Sequence, residues 1–270
     1  MKNFIALVIV FAIAYFGFTY HSGRDRVLRI GVECNKPPHH WEEDHQTDSN
    51  VPLINVEEHY ADGYDIQIAK IVADSIGAKL EVKKLPYQEL ISELDHREID
   101  AIFSSMLDTS ARKKIMAFSD VYEIHPAEYC IMVHKDGKYA NARSLKDFIG
   151  ATFVAQKDST YDRAVAQIRG SIHLPAVTQF RQILEKIQKK EADATVLDLT
   201  AAKTYERVYP DFTIVQFDEN EGFKFDFTGI CAAVRKNNTK LLNEINDALK
   251  NISQRDRQKV MDQSISRNWN

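Results

Sequence analysis

The most regular feature of the chain is an alternation of strand-like and helix-like segments. Val27–Val32 alternates apolar and polar residues with the period of a strand. After Gly63 the apolar residues recur at helical spacing, with Asp65 as a candidate N-terminal cap. Residues 79–85 and 99–103 then show strand patterns, and 87–94 predicts a short helix. This order predicts a mostly parallel sheet with helices on both faces.

The same alternation starts again after residue 144. Strands are predicted at 151–155 and 194–197, and helices at 160–168, 179–189 and 201–209. A last helix is predicted to begin with a cap at Thr239. The chain therefore predicts two α/β units, connected near 122–133 and again near 227–234. Open α/β sheets bind ligands beyond the carboxyl ends of their strands, so the cleft between the units is the expected site.

Two segments fall outside this alternation. Residues 33–62 are rich in Pro, Asn, Asp and His and predict a long polar loop. At the N-terminus, Lys2 precedes an apolar run over 4–18 and polar residues follow, which is typical of an export signal. Residues 1–22 are interpreted as a signal peptide or as an uncleaved membrane anchor, and the sequence leaves both open.

Composition excludes several classes of function. The net charge of −4 offers no basic surface for nucleic acid. Cys34, Cys130 and Cys231 lack the spacing of a zinc or redox motif. They are interpreted as buried thiols, with one disulfide plus a free thiol as the alternative. The stretch Glu33-Cys34 with His39, His40 and His45 raises a metal site as an alternative, but adjacent histidines in a Pro-rich loop cannot easily both face one ion, so a polar loop is favoured. Nucleotide-binding and hydrolase motifs are absent from the sequence.

A set of ordered stretches resembles one protein family: RIGVECNKPPHHW, GYDIQIAKIVADSIGAKLEV, IDAIFSSMLDTSARKKIMAFSDVY, AQKDSTYDRAV, ADATVLD and TGICAAVRKNNTKLLNEINDALK. Their order and spacing over Val27–Trp269 are similar to those of the family-3 solute-binding proteins. Members of that family bind polar amino acids for ABC importers. No single stretch is decisive, and the resemblance lies in the whole series.

The resemblance implies an α/β, two-lobed periplasmic-binding-protein-like (type II) fold with two crossover strands and a ligand cleft between lobes. Lobe 1 would comprise 27–124 plus 230–270, and lobe 2 would comprise 125–229. The implied function is binding without catalysis and without a cofactor. The implied partners are a free amino acid and an ABC transporter permease, with no nucleic acid and with the chain as a monomer. The implied location is the periplasm or the outer face of the cytoplasmic membrane.

The resemblance also implies roles for particular residues. Arg112 falls where the family clamps the ligand carboxylate, and a guanidinium fits a carboxylate with two donors. Asp198 matches the acid that receives the ammonium, although it could instead cap the following helix. The remaining expected contacts are Ser104, Ser105, Ser159, Thr160 and Tyr87. For Ser159 and Thr160, plain helix capping is a compatible alternative.

Three positions depart from the family pattern and leave the ligand open. Leu107 replaces a usual hydroxyl, and the lost hydrogen bond is worth roughly 1–2 kcal/mol. Asp158 replaces a usual glycine and would need a positive φ. Lys36 replaces an aromatic residue that often stacks on the ligand. It would suit an acidic or carboxamide ligand side chain, but a solvent-facing lysine is at least as consistent with the sequence.

The sequence leaves two other classes of function open. One is a dehydratase of cyclohexadienyl acids, which would need a general acid in the cleft. The joint presence of Arg112 and Asp198 favours a zwitterionic ligand instead. The other is a membrane-anchored sensing module, which would need the N-terminal segment to remain uncleaved.

Overall fold

The computed structural model describes residues 26–123, 129–217 and 221–267. The strands are β1 (Val27–Val32), β2 (Asn35–Lys36), β3 (His40–Glu43), β4 (Val51–Pro52), β5 (Tyr60–Asp62), β6 (Lys79–Lys84), β7 (Ala101–Ile102), β8 (Met116–Phe118), β9 (Tyr129–His134), β10 (Thr152–Phe153), β11 (Ile172–His173), β12 (Ala194–Asp198), β13 (Phe212–Val215) and β14 (Ala233–Arg235). The α-helices are α1 (Tyr64–Ser75), α2 (Leu90–Asp95), α3 (Ser110–Lys113), α4 (Thr160–Val165), α5 (Phe180–Gln188), α6 (Leu199–Val208), α7 (Thr239–Lys250) and α8 (Gln254–Ser266). Short 3₁₀ turns cover Tyr87–Glu89 and Leu145–Phe148.

Two five-stranded sheets of similar design dominate the fold. The first has the order β6-β1-β7-β14-β8 and the second the order β11-β10-β12-β9-β13. In each sheet the first three strands are parallel and the fourth runs antiparallel to both of its neighbours. The prediction of mostly parallel α/β units is therefore confirmed, because three adjacent strands of each sheet pair in parallel. The fourth strand of each sheet is the antiparallel exception, and the sequence pattern did not predict it.

Each sheet has its own apolar core. Around the first sheet, Ile30, Val32 and Val82 pack against α1 through Ile68 and Val72, all of them fully buried. The core of the second sheet is built around β9, β10 and β12 with aromatic side chains from the flanking helices and turns. Apolar surface is thus buried on both faces of strands in each unit, which is what stabilises two separate α/β bodies.

The chain crosses between the sheets at two neighbouring places. Tyr122 and Glu123 lie beside Ile230: the Tyr122 amide donates to the Ile230 carbonyl at 3.0 Å, and the Ile230 amide donates to the Glu123 carbonyl at 3.2 Å. Residues before this pair belong to the first sheet, and β9 belongs to the second. After Ile230 the chain returns to the first sheet as β14. The two crossovers predicted near 122–133 and 227–234 are therefore paired by hydrogen bonds.

The segment 33–62 differs from the predicted loop. It forms a small antiparallel sheet of order β2-β3-β5-β4. These strands have two to four residues each, which is too short to give a readable alternation of apolar and polar positions. The small sheet matters for the site because it carries Lys36.

The helix ends also differ from two predictions. Gly63, and not Asp65, occupies the N-cap of α1, and the cap of α7 is Asn238 instead of Thr239. Helix α8 was not predicted. Only Met261 and Ser264 of this helix are buried, so its apolar pattern is weak. A capping signal was nevertheless present, since the Ser253 hydroxyl accepts from the Asp256 amide.

Other features bear on single predictions. Cys34, Cys130 and Cys231 are buried and free, which confirms their interpretation as buried thiols. Within the described ranges, no helix is long and apolar enough to cross a membrane. The predicted signal peptide or anchor at 1–22 lies outside the described residues.

Gly229 lies at the second crossover, where there is no room for a side chain. A Cβ there would lie 2.6 Å from Cγ1 of Val121 and 2.8 Å from the Glu123 carbonyl oxygen. We expect Gly229→Ala to lower the free energy of unfolding by about 1–3 kcal/mol, because the backbone must shift to relieve the overlap. Urea denaturation measures this. Gly222→Ala is the control, since its Cβ would meet ordinary contacts beginning at 3.5 Å, and equal losses in both variants would contradict the expectation.

Candidate functional site

The predicted site residues converge where the two sheets face each other. Most of them line one internal cavity: Lys36, Tyr87, Ser104, Ser105, Leu107, Ser159 and Thr160. Arg112 and Asp198 lie just behind this lining, each hydrogen-bonded to a tyrosine of the cavity wall. Sequence reasoning missed four further lining residues, which are Glu33, His40, Gln156 and Tyr161.

The lobes are closed around this cavity. Its volume of about 20 Å³ leaves room for roughly one water molecule. Larger concavities of about 980 Å³ and 380 Å³ lie elsewhere, the first beside α2 and β14 and the second beside α8 and the crossovers. Neither of these brings together the residues predicted to bind. The convergence of buried charges, and not the available volume, therefore marks the candidate site.

Arg112 is a buried cation just behind the cavity wall. Its side chain begins on α3, where the hydroxyl of Thr109 caps the helix by accepting from the Arg112 amide. The guanidinium donates to the Leu107 carbonyl at 3.2 Å, to the Tyr87 hydroxyl at 2.6 Å and to the Asp158 carbonyl at 3.4 Å. Only 4% of the residue is exposed.

The partners of Arg112 are all neutral oxygens. Among the described residues, no carboxylate lies within salt-bridge distance of this guanidinium, and its Nε has no hydrogen-bond partner. A buried guanidinium without a counter-ion is unfavourable, because its charge has lost water and gained no opposite charge. The site can therefore gain free energy by taking up an anion.

Lys36 crosses from the first unit to the second. Its ammonium forms an ion pair with Asp198 at 2.9 Å and donates to the Tyr161 hydroxyl at 2.7 Å. The lysine is 9% exposed, so the solvent-facing alternative is wrong. The Tyr161 hydroxyl donates in turn to Asp198 at 2.5 Å. These three groups form a closed triangle that joins the two units.

Asp198 has two roles in the structure. Its Oδ1 accepts from the Ala201 amide at 2.9 Å and caps α6, while its Oδ2 holds Lys36 and Tyr161. Burial alone would raise the pKa of this carboxyl, but the charges of Lys36 and His39 and the hydrogen bonds from Tyr161 and the Ala201 amide together hold the pKa well below its usual range. Burial likewise opposes the charge on Lys36, yet Asp198 raises the lysine pKa. Both groups are therefore charged.

The turn containing Ser104 and Ser105 is fixed by hydrogen bonds to the Asp65 carboxylate. The Asp65 carboxylate accepts from the Ser105 amide at 2.6 Å, from the Ser105 hydroxyl at 3.0 Å and from the Tyr122 hydroxyl at 2.8 Å. Ser105 adopts a φ of 48°. Asp65 thus fixes a strained turn at the cavity instead of capping a helix.

The second unit presents the start of α4 to the cavity. Ser159 caps the helix by accepting from the Asp162 amide at 3.1 Å, and its hydroxyl donates to the Gln156 carbonyl at 2.6 Å. The Thr160 hydroxyl pairs with that of Tyr129 at 2.6 Å. Both expected contacts are therefore buried and engaged as helix-start residues. The positive φ predicted for Asp158 is confirmed, since its φ is 62°.

Glu33 and Gln156 form a second contact between the units. The Glu33 carboxylate accepts from Gln156 of the second unit and from Asn35 at 2.9 Å. Burial raises the pKa of Glu33 to about 7, although these hydrogen bonds and Lys36 act in the opposite direction. Burial also keeps the pKa of the neighbouring His40 well below its ordinary value, with the charge of Lys36 acting in the same direction. His40 is therefore neutral.

The histidines and acids described around the site do not form a metal centre. Within the described part of the chain, no group of three His, Cys, Asp or Glu side chains is arranged to hold a metal ion. His39 is paired with Glu123 at 2.9 Å, and the Ser104 hydroxyl lies 3.4 Å from His40.

Two facing α/β units, two crossovers and a closed cleft lined by opposite charges define a two-lobed ligand-binding protein with the type II periplasmic fold. Residues 28–266 match the family model of the bacterial extracellular solute-binding proteins, family 3. The chain belongs to this family.

Individual relatives agree with this assignment. The arginine-binding extracellular protein ArtP of Bacillus subtilis is 27% identical over 70% of this chain and 72% of its own length. An ancestral arginine-binding protein, solved with bound arginine, is 28% identical with a TM-score of 0.73, covering 89% of this chain and 97% of that one. The membrane-bound lytic murein transglycosylase F of Desulfosudis oleivorans is 29% identical over 68% of this chain. The match spans only 39% of that protein's length.

The raised pKa of Glu33 predicts a pH-dependent stability. Because the folded-state pKa of about 7 lies above the ordinary 4.5, the folded state binds this proton more tightly. The stabilisation is complete below about pH 4.5 and is lost as the pH rises through 7, a change of at most about 3 kcal/mol. We expect Glu33→Gln, which cannot ionise, to lose much of this pH dependence.

Urea denaturation of the wild type and the variant at several pH values between 5 and 9 measures this difference. Glu57→Gln is the control, because Glu57 is an exposed acid of the same unit. If the wild type and Glu33→Gln lose stability in parallel as the pH rises, the Glu33 carboxyl is not the group responsible.

Proposed function

We propose that this protein captures a free amino acid between its two lobes outside the cytoplasm and delivers it to an ABC transporter permease. The lobes would comprise 27–124 plus 230–270 and 125–229. The observation that carries the proposal is Arg112, a buried guanidinium with neutral oxygens around it and no carboxylate partner among the described residues. A ligand carboxylate supplies the missing charge.

The second half of the proposal concerns the ligand's ammonium. Asp198 and the hydroxyl of Tyr161 already bind one ammonium, that of Lys36. A ligand with a carboxylate and an ammonium on one carbon would span the space between Arg112 and this pair. The two charged subsites come from different lobes, so ligand binding and lobe closure would be coupled.

The relatives named for arginine support an amino acid as the cargo. In this proposal the chain acts as a monomer, binds no cofactor and catalyses no reaction. Export would place it in the periplasm or on the outer face of the cytoplasmic membrane, with residues 1–22 serving as a cleaved signal or an anchor. The membrane-anchored sensing alternative shares the same ligand site and differs only in the fate of that segment.

A specific observation also keeps the dehydratase alternative testable. Glu33 is a cleft acid whose pKa is raised to about 7 by burial, as a general acid requires. Against catalysis, its carboxylate is engaged by two amide donors, Gln156 and Asn35. Release of an aromatic product from prephenate, followed by ultraviolet absorbance, would establish the enzyme and overturn the proposal of a non-catalytic protein.

The binding proposal predicts that Arg112→Ala strongly weakens ligand binding. We expect the affinity for the cognate amino acid to fall about 100-fold or more, because about 3 kcal/mol of charge-assisted hydrogen bonding is lost. Arg112→Lys should recover part of this loss, since it keeps the charge without the planar pair of donors. Calorimetric titration of the purified full-length chain, refolded to remove carried ligand, measures the change.

Lys114→Ala is the matched control, because Lys114 is an exposed cation immediately after α3. It should leave the affinity unchanged. If Arg112→Ala and the wild type bind the same amino acid equally well, Arg112 does not hold the carboxylate. If the wild type binds none of the twenty amino acids, the proposed function itself is wrong.

A further inference from the structure

The ammonium of Lys36 occupies a site built for a cation. It has an ion-pair partner in Asp198 at 2.9 Å and a hydrogen-bond acceptor in Tyr161 at 2.7 Å, and it lies 5.2 Å from the centroid of the Tyr161 ring. Carboxylate, hydroxyl and aromatic face are together the groups that bind an amino acid's ammonium. In this conformation the chain fills its own ammonium subsite.

The local structure explains how Lys36 reaches the other lobe. It is the last residue of β2, the edge strand of the small sheet, and it pairs with His40 of β3. Its side chain extends from this edge to Asp198, which lies at the end of β12 in the second sheet. A ligand whose ammonium binds Asp198 must therefore displace Lys36.

The charges around the cavity show what this displacement requires. Arg112 and Lys36 are positive, and Asp198 is their nearby negative group. Asp65 is used by the turn below the cavity, and Glu123 is paired with His39. Glu33 is mainly neutral below pH 7 because burial raises its pKa to about 7.

An amino acid with an uncharged side chain leaves one buried charge of the cleft without an opposite charge. Its carboxylate satisfies Arg112 and its ammonium takes Asp198, so Lys36 is left in a closed cleft without a carboxylate partner. A basic amino acid adds a further positive charge to the same space. An uncompensated buried charge is strongly unfavourable, because the lost hydration is replaced by no opposite charge.

We propose that Lys36 determines ligand specificity and that the cargo is an amino acid with a second carboxylate in its side chain. The α-carboxylate binds Arg112, the ammonium displaces Lys36 from Asp198, and the side-chain carboxylate becomes the new partner of Lys36. Every buried charge then has an opposite charge beside it. This inference rests on the proposed function, since it assumes that Arg112 and Asp198 hold the two ends of an amino acid.

The test is a calorimetric titration of the full-length, refolded protein at pH 6, where Glu33 is mainly protonated. The ligands are L-glutamate, L-aspartate, L-glutamine, L-arginine and 2-oxoglutarate. We expect the wild type to bind glutamate or aspartate at least 100-fold more tightly than glutamine or arginine. In Lys36→Met, the acidic amino acid should lose at least 100-fold in affinity, and glutamine should bind more tightly than it does to the wild type.

Lys157→Met is the matched control for the change of charge. Lys157 follows the cavity residue Gln156 but is exposed, and its replacement should leave the order of affinities unchanged. The wild-type measurements test the proposal even if Lys36→Met fails to fold.

The outcomes separate this inference from the function on which it rests. Glutamine or arginine binding to the wild type as tightly as the acidic amino acids would overturn the role of Lys36 and leave amino-acid binding intact. Tighter binding of 2-oxoglutarate than of glutamate would also overturn it, because Lys36 would then keep Asp198 and the ligand would need no ammonium. Absence of binding to every amino acid would overturn the proposed function as well.

Discussion

The ion pair between Lys36 and Asp198 is a buried contact between opposite charges that joins the two lobes across the closed cleft. It joins the small sheet of one unit to the last parallel strand of the other and is covered by Tyr161. A buried ion pair stabilises a structure only weakly in net terms, because dehydration of both ions offsets most of their attraction. It nevertheless specifies geometry strongly, since either ion without the other is unfavourable. Such a contact can hold the lobes closed and still be replaced by a ligand that supplies equivalent charges.

The two buried cations of the cleft differ in their partners, and this difference determines which ligands the site can bind. Lys36 has an acid, a hydroxyl and an aromatic ring around it. Arg112 has only neutral oxygens among the described residues. Arg112, which has no carboxylate partner among the described residues, attracts an anion. Lys36, which is paired with Asp198, limits the further charges that a ligand can carry. Asp65 adds rigidity, because it fixes the Ser105 turn beside the cavity with two hydrogen bonds and accepts a third from the Tyr122 hydroxyl.

The sequence pattern predicts the elements whose apolar residues are buried in a core. It does not predict a side-chain position that depends on a partner far away along the chain. The alternating units could be predicted because cores impose periodic apolar positions, as on α1, where Ile68 and Val72 face the sheet. The two-residue strand β2 is too short for any period. The position of Lys36 depends on Asp198, which is 162 residues away along the chain, and on a lobe closure that leaves no local signal. A lysine in a polar segment is normally solvated, and only the three-dimensional pairing shows that this one is not.

An internal ammonium changes how the affinity of such a cleft should be understood. Lys36 is attached to the chain, so it competes with the ligand's ammonium at a high effective concentration. Every ligand whose ammonium binds Asp198 must therefore displace Lys36. The free energy that this displacement costs reduces the measured affinity of the ligand. A ligand that gives Lys36 a new carboxylate recovers most of this free energy, whereas a ligand that does not leaves a charge unpaired. Discrimination between ligands then depends on whether the displaced Lys36 finds a new carboxylate partner, as much as on the ligand's own contacts with the cleft.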